Sequence, residues 1–130
     1  METLDLEVIN LVNDLAAANV KMIDQGISDI VAIPDAFGLH QNFPNPFNPS
    51  TLIQFDLPAE TVDGVKTTLA IYNVTGQLVR TLLDEERKAG VHSILWDAKN
   101  DAGMQMPSGT YFYKIRAGDF NDTKKMILLK

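Results

Sequence analysis

"GTYFYKIRAGDFNDTKKMILLK", residues 109 to 130, is two runs divided by Ala117-Gly118-Asp119. The first, after Pro107-Ser108, and the second, after Gly118-Asp119, each read as a short strand. So short a junction leaves room only for a tight hairpin, so the closing strand is expected to pair with the one before it. The pattern recurs on working backwards. "VHSILWD" (91–97) follows Ala89-Gly90, "QLVRTLL" (77–83) follows Thr75-Gly76, and "VKTTLAIYNV" (65–74) follows Asp63-Gly64. Before these, Ile53, Phe55 and Leu57 alternate with Gln54 and Asp56. Short strands separated by Gly, Pro, Asp and Asn turns predict a mainly β domain over residues 39–130. The expected fold is an immunoglobulin-like antiparallel β-sandwich of six to seven strands.

Ahead of the first strand stands "LHQNFPNPFNPST", which packs Pro44, Pro46 and Pro49 into a few positions. Each proline fixes its own φ and lacks an N–H, so this strap is expected to run as polyproline-like turns rather than as a ladder strand. Phe43 and Phe47 flank the prolines and are expected to anchor it in the core.

Residues 1–38 read as an appendage of different composition. They and the two residues after them hold seven acids and one base, whereas residues 41–130 hold ten of each. Apolar side chains at Leu4, Val8, Leu11, Leu15, Ala18 and Met22 follow helical steps of four and three, which predicts a helix over residues 4–24 stopped near Gly26. Its stripe is expected to pack on a neighbouring domain or to self-associate. "ISDIVAIPDAF" (27–37) reads as an extended linker, with Pro34 disfavouring helical geometry at Ile33. Extended, unpaired backbone between Ile33 and Gln41 is where a protease is expected to cut.

The net charge of −6 disfavours nucleic acid as a partner, because phosphate binding needs clustered Lys and Arg. With no cysteine, disulfides, thiolate metal sites and cysteine nucleophiles are excluded together. No apolar run approaches the roughly 20 residues that span a bilayer. "METLDLEVIN" lacks a signal peptide's basic and apolar regions, so an exported form is expected to be a fragment of a longer precursor, with Met1 an added start.

No residue set calls for catalysis. His40 and His92 are the only histidines, and His92 is expected to share a strand face with Ile94 and Trp96. Ser93 beside it points to the opposite face, so the letters of "HSILWD" make no triad. "DAKNDAG" (97–103) approaches a calcium loop, but Lys99 and Ala102 occupy its third and sixth positions. Asp97, Asn100 and Asp101 remain the only metal candidates, and Asx-type turns are the plainer reading. No cofactor is expected.

Five stretches in order then carry a resemblance. "QNFPNPFNPST" with "FDLP", "LAIYNVTGQLVRTLL", "AGVHSILWDAKNDAG", "PSGTYFYKIRAG" and "TKKMILLK" resemble the C-terminal sorting domain (type A) of the type IX secretion system of Bacteroidota. The stretch from Gly76 to Ile115 is also similar to the immunoglobulin-like module of flagellar hook-capping proteins. The resemblance implies a non-catalytic address that sends an exported cargo from the periplasm of a Gram-negative bacterium through an outer-membrane translocon. It implies translocon and sortase components as partners, proteolytic removal, and anchoring of the cargo to anionic lipopolysaccharide at the cell surface. Carried over, the recognition residues are Pro44, Asn45, Pro46, Phe47 and Pro49, then Gly76 and Arg80, then Lys124, Lys125, Leu128 and Lys130. The terminal strand, with lysines flanking "MILL", is expected to present an edge to a receptor or to guard one. The alternative is a structural or adhesive module that binds glycan through Trp96 or a Tyr111–Tyr113 stripe, or self-assembles through residues 4–24. Burial of Trp96 is expected instead, from its alternation with Ile94.

Overall fold

The computed structural model describes residues 20–24 and 30–130, with side chains described from Ile33 onward. Two sheets face each other. One has three strands in the order β3 (Gly38–Leu39), β4 (Thr51–Leu57), β7 (Gly90–Trp96). The other has four, in the order β6 (Leu78–Arg87), β5 (Val65–Tyr72), β8 (Gly109–Ala117), β9 (Phe120–Leu128). All pairings within both sheets are antiparallel, as expected for the sandwich. A separate hairpin of β1 (Val20–Asp24) and β2 (Ile30–Pro34) precedes them.

The period-two alternation sorts side chains as the sequence requires. Ile53, Phe55 and Leu57 of β4 point inward with Trp96 of β7, facing Leu69 and Ile71 of β5 and Tyr111, Tyr113 and Ile115 of β8. Trp96 packs edge-on against Tyr111 at 5.5 Å between ring centroids, and its indole N–H donates to the Lys99 carbonyl at 2.9 Å. Aromatic side chains of this size dominate the burial that offsets chain entropy, at roughly 2–3 kcal/mol each. The β8–β9 hairpin closes in two residues, Gly118 and Asp119, with Ala117 opposite Phe120. Gly118 takes φ +58°, which the first position of such a turn demands and which a side chain there would resist. In β6, Leu83 pairs with Leu69 but Thr81 pairs with Ala70, so Leu82 is the extra residue of a bulge.

Three expectations need correction. The helix over residues 4–24 does not reach its end: Val20–Asp24 is a strand paired with Ile30–Pro34, and residues 4–19 lie outside the described residues. "VKMI" fits a period of two as well as 3.6 and includes two β-branched residues. A partner rich in Ile and Val supplies the ladder hydrogen bonds that decide between the two. The cleavage window also narrows. Ile33 and Pro34 lie in β2, Gly38 and Leu39 in β3, and His40 is held by its N–H donating to Gln54 O at 2.9 Å, so the stretch between the strands is Asp35 to Phe37. Finally, the strap is not a polyproline run. It folds as bends between an antiparallel bridge, Phe43 to Leu52, and a parallel bridge, Phe47 to Leu128, with cis peptide bonds before all three prolines.

Candidate recognition surface

Lacking three N–H donors, the strap is held by side-chain amides and by neighbouring backbone. Asn42, buried at 2 % exposure, donates from its side-chain amide to the Pro44 carbonyl (3.1 Å) and to Thr51 Oγ1 (2.9 Å). Thr51 Oγ1 donates in turn to Pro44 O at 2.9 Å. The Asn42 backbone N–H donates to the Tyr113 hydroxyl at 2.8 Å, and that hydroxyl donates to the His40 carbonyl at 2.7 Å. Tyr113 therefore ties the entry of the strap to the centre of the four-stranded sheet. Burial pushes its hydroxyl pKa up to about 12; the Asn42 N–H pulls the other way, and the charge of Asp122 adds to the rise. Burial raises Tyr111 as well.

The strap then lies along the outer edge of β9. Gln41 Nε2 donates to Lys125 O at 2.9 Å, and Ile127 N–H donates to Asn45 Oδ1 at 3.0 Å. Phe47 N–H donates to Ile127 O at 2.9 Å, and Leu129 N–H to Phe47 O at 3.0 Å. Four edge groups of the terminal strand that a sheet would leave open are thus engaged. The Phe47 ring drives into the core, 2 % exposed and 5.7 Å from Trp96. Phe43 does not: it is 78 % exposed, because its bridge to Leu52 turns both side chains to the outer face.

The expected recognition residues divide accordingly. The strap and the end of β9 are one assembly, although about 80 residues separate them. Within it Pro44, Asn45, Pro46, Pro49, Lys125 and Lys130 are exposed, Lys124 is half-buried, and Phe47 and Leu128 are core side chains that contribute only backbone to the surface. The idea of a β9 edge open to a receptor is corrected for residues 125–129, where the strap occupies it. Gly76 and Arg80 stand elsewhere. Gly76, at φ +84°, shapes the β5–β6 turn, where Asn73 Oδ1 accepts from Thr75 and Gln77 N–H. Arg80 Nη1 pairs with Asp97 Oδ1 at 3.2 Å.

The metal candidates are committed to turns. Asp97 Oδ1 also accepts Lys99 N–H, Asn100 Oδ1 accepts Ala102 and Met104 N–H, and Asp101 Oδ1 accepts Thr81 N–H at 3.1 Å. With Asp101 N–H donating to Val79 O, the 97–106 loop covers the start of the β6 edge as the strap covers β9. Trp96, Tyr111 and Tyr113 are at most 4 % exposed, so they offer no face to a glycan. His92 stacks on Phe55 at 5.1 Å and its Nε2 lies 2.7 Å from Lys88 O; Ser93 is exposed on the other face. Reading the sequence missed Gln41, Asn42, Thr51 and Tyr113 as the residues that build the surface. The available signal was a polar Gln-Asn pair just before a donor-poor proline run, and a tyrosine at an inward position, whose hydroxyl must find a partner.

Two antiparallel sheets closed over an aromatic core define an immunoglobulin-like sandwich. The chain belongs to the FlgD Ig-like domain family, whose sequence model matches residues 48–119, more than half of the chain. Basal-body rod modification protein FlgD of Salmonella typhimurium is 41 % identical over 54 residues, which are 42 % of this chain and 23 % of that protein. The chain thus spans about a quarter of this curated relative. Among solved structures, dimeric latent PorU from Porphyromonas gingivalis shares the fold with a TM-score of 0.60 at 24 % identity, over 74 % of this chain and 9 % of that one. A weaker overlap, TM-score 0.47 and 19 % identity, covers 72 % of this chain and 12 % of PorZ, titled a surface component of the type-IX secretion system of the same organism.

Proposed function

We propose that this module is a non-catalytic C-terminal sorting domain, read by its surface, that directs an exported cargo through a type IX outer-membrane translocon. The supporting observation is the union of strap and terminal strand. The first and last motifs of the resemblance, remote in sequence, are joined by four hydrogen bonds into one surface. A translocon that serves unrelated cargos needs a rigid, pre-ordered feature, and ordering held within the module lowers the entropic cost of being recognised. Translocon and sortase components are the partners on this reading, and release or anchoring to anionic lipopolysaccharide at the cell surface follows export.

The test is export of a reporter. Residues 39–130 are fused behind a folded reporter carrying a Sec signal, in a host with the type IX machinery. Appearance in the medium or at the surface is expected; periplasmic retention refutes the reading. Truncation of residues 124–130 is a poor probe, because Met126 and Leu128 are fully buried and their loss tests folding. Charge reversal of Lys124, Lys125 and Lys130 leaves the core intact and is expected to reduce export at least about tenfold.

A further inference from the structure

Nine large apolar side chains stand exposed among the described residues, and seven gather at one end of the sandwich. That end is defined by the pairs Thr51–Trp96, Tyr72–Leu78 and Gly109–Leu128. Phe43, Leu52 and Leu95 flank the three-stranded sheet there, and Leu78 begins β6. Val74 (67 % exposed) and Met104 (62 %) tip the β5–β6 turn and the 97–106 loop, and Leu129 follows β9. Only Val62 and Val91 lie towards the other end.

Charge follows the same axis. Residues 41–130 carry ten bases and ten acids. The apolar end holds four of the bases (Arg80, Lys99, Lys125, Lys130) and two of the acids, Asp97 and Asp101. Asp97 is paired with Arg80, and Asp101 accepts the Thr81 N–H. The rest of the domain holds six bases and eight acids. The preceding chain enters at the opposite end, where Gly38 pairs with Asp56 and Phe37 stacks on Phe120 at 5.0 Å, beside the β8–β9 turn.

We propose that the strap end docks on a bilayer surface bearing anionic phospholipid headgroups. Val74, Met104, Leu129 and Phe43 enter the boundary between headgroups and acyl chains, and Lys99 and Lys125 meet the phosphates. The apolar tips come from several separate segments and surround the end instead of lining one groove. A deformable lipid interface accommodates such a ring without a preformed mate, and an aromatic ring among apolar tips beside lysines suits the headgroup level. Docked this way, the module points whatever precedes residue 38 away from the bilayer. The inference is independent of the sorting proposal.

The experiment is co-sedimentation of the full chain with large unilamellar vesicles of phosphatidylcholine containing about one-third phosphatidylglycerol. Binding is expected there, with little on pure phosphatidylcholine and less in high salt, where charges are screened. Replacing both cations, K99E with K125E, is expected to lower partitioning by roughly 30-fold or more. The pair V74D with M104D, at exposed turn tips, is expected to cost at least about tenfold, and V62D at the other end to change nothing. Near-UV circular dichroism checks that each variant is folded. Three results overturn the proposal: absence of binding, which would leave the end to a protein partner; equal binding to neutral vesicles; or a loss in V74D/M104D no larger than in V62D.

Discussion

Replacing Tyr113 by phenylalanine tests whether the strap is held as described. The substitution keeps the ring that packs among Phe55, Ile71 and the other core side chains and removes one oxygen. That oxygen accepts from the Asn42 N–H and donates to the His40 carbonyl. Asn42 is buried, so its N–H loses its partner without access to water, at a cost of about 1–3 kcal/mol; His40 is exposed and its carbonyl rehydrates, which limits that loss to about 1 kcal/mol. A total of about 2–3 kcal/mol is expected. With a urea m-value of roughly 1.5 kcal/mol/M, the unfolding midpoint should fall by roughly 1.3–2 M at unchanged m. The same oxygen gives a second readout. Its pKa is about 12 in the folded state and about 10 unfolded, so the stabilisation is complete below pH 10. Between pH 10 and 12 the unfolded chain gives up this proton and the folded chain keeps it, so wild-type stability falls by up to about 1.4 kcal/mol per pH unit. In Y113F that component vanishes, leaving the smaller alkaline slope due to Tyr111. A midpoint shift below about 0.3 M, or an unchanged alkaline slope, would refute the lock.

Three further outcomes follow from the same contacts. Phe47→Ala, which empties a core site beside Trp96, is expected to destabilise by about 3–5 kcal/mol in urea unfolding, whereas Phe43→Ala at an exposed site should stay within about 0.5 kcal/mol. Asn45→Ala removes the acceptor for Ile127 N–H, so hydrogen exchange at that amide should accelerate by roughly tenfold while β5 amides are unaffected. Asp101→Ala frees the Thr81 N–H at the β6 edge and is expected to cost about 1 kcal/mol, with the same loss in calcium as in chelator; a calcium-dependent difference would restore Asp101 as a metal ligand.

What the sequence discloses here is local, and what it conceals is contact between distant segments. The strands of the sandwich are legible because an inward face writes itself as alternation, and because Gly64, Gly76 and Gly118 mark turns that need positive φ. The terminal hairpin is legible for the same reason. By contrast, "VKMI" carries both periodicities, and only the presence of Ile30–Pro34 opposite it selects the strand. Phe43 and Phe47 are identical in type and both sit one step from a proline, yet one is in solvent and the other in the core. Their difference lies in the partner each bridges: Leu52, on an outward register of β4, or Leu128, on an inward register of β9.

The edge argument shows why the strap and the terminal strand occur together. A four-stranded sheet closed by β6 and β9 exposes two rows of unpaired backbone groups, and each is an invitation to pair with another chain. The 97–106 loop engages the start of one row through Asp101. The strap engages the end of the other through Gln41, Asn45 and Phe47. A proline-rich segment suits that task because it lacks the N–H groups to act as a strand and so cannot itself recruit a further one. What it does present outward is a set of exposed prolines beside Lys125, fixed relative to β9 by the hydrogen bonds that cover the edge. Protection of the edge and display of a defined surface are thus one structural act. On this reasoning, a change that loosens the strap should expose β9 and erase the proposed recognition surface together.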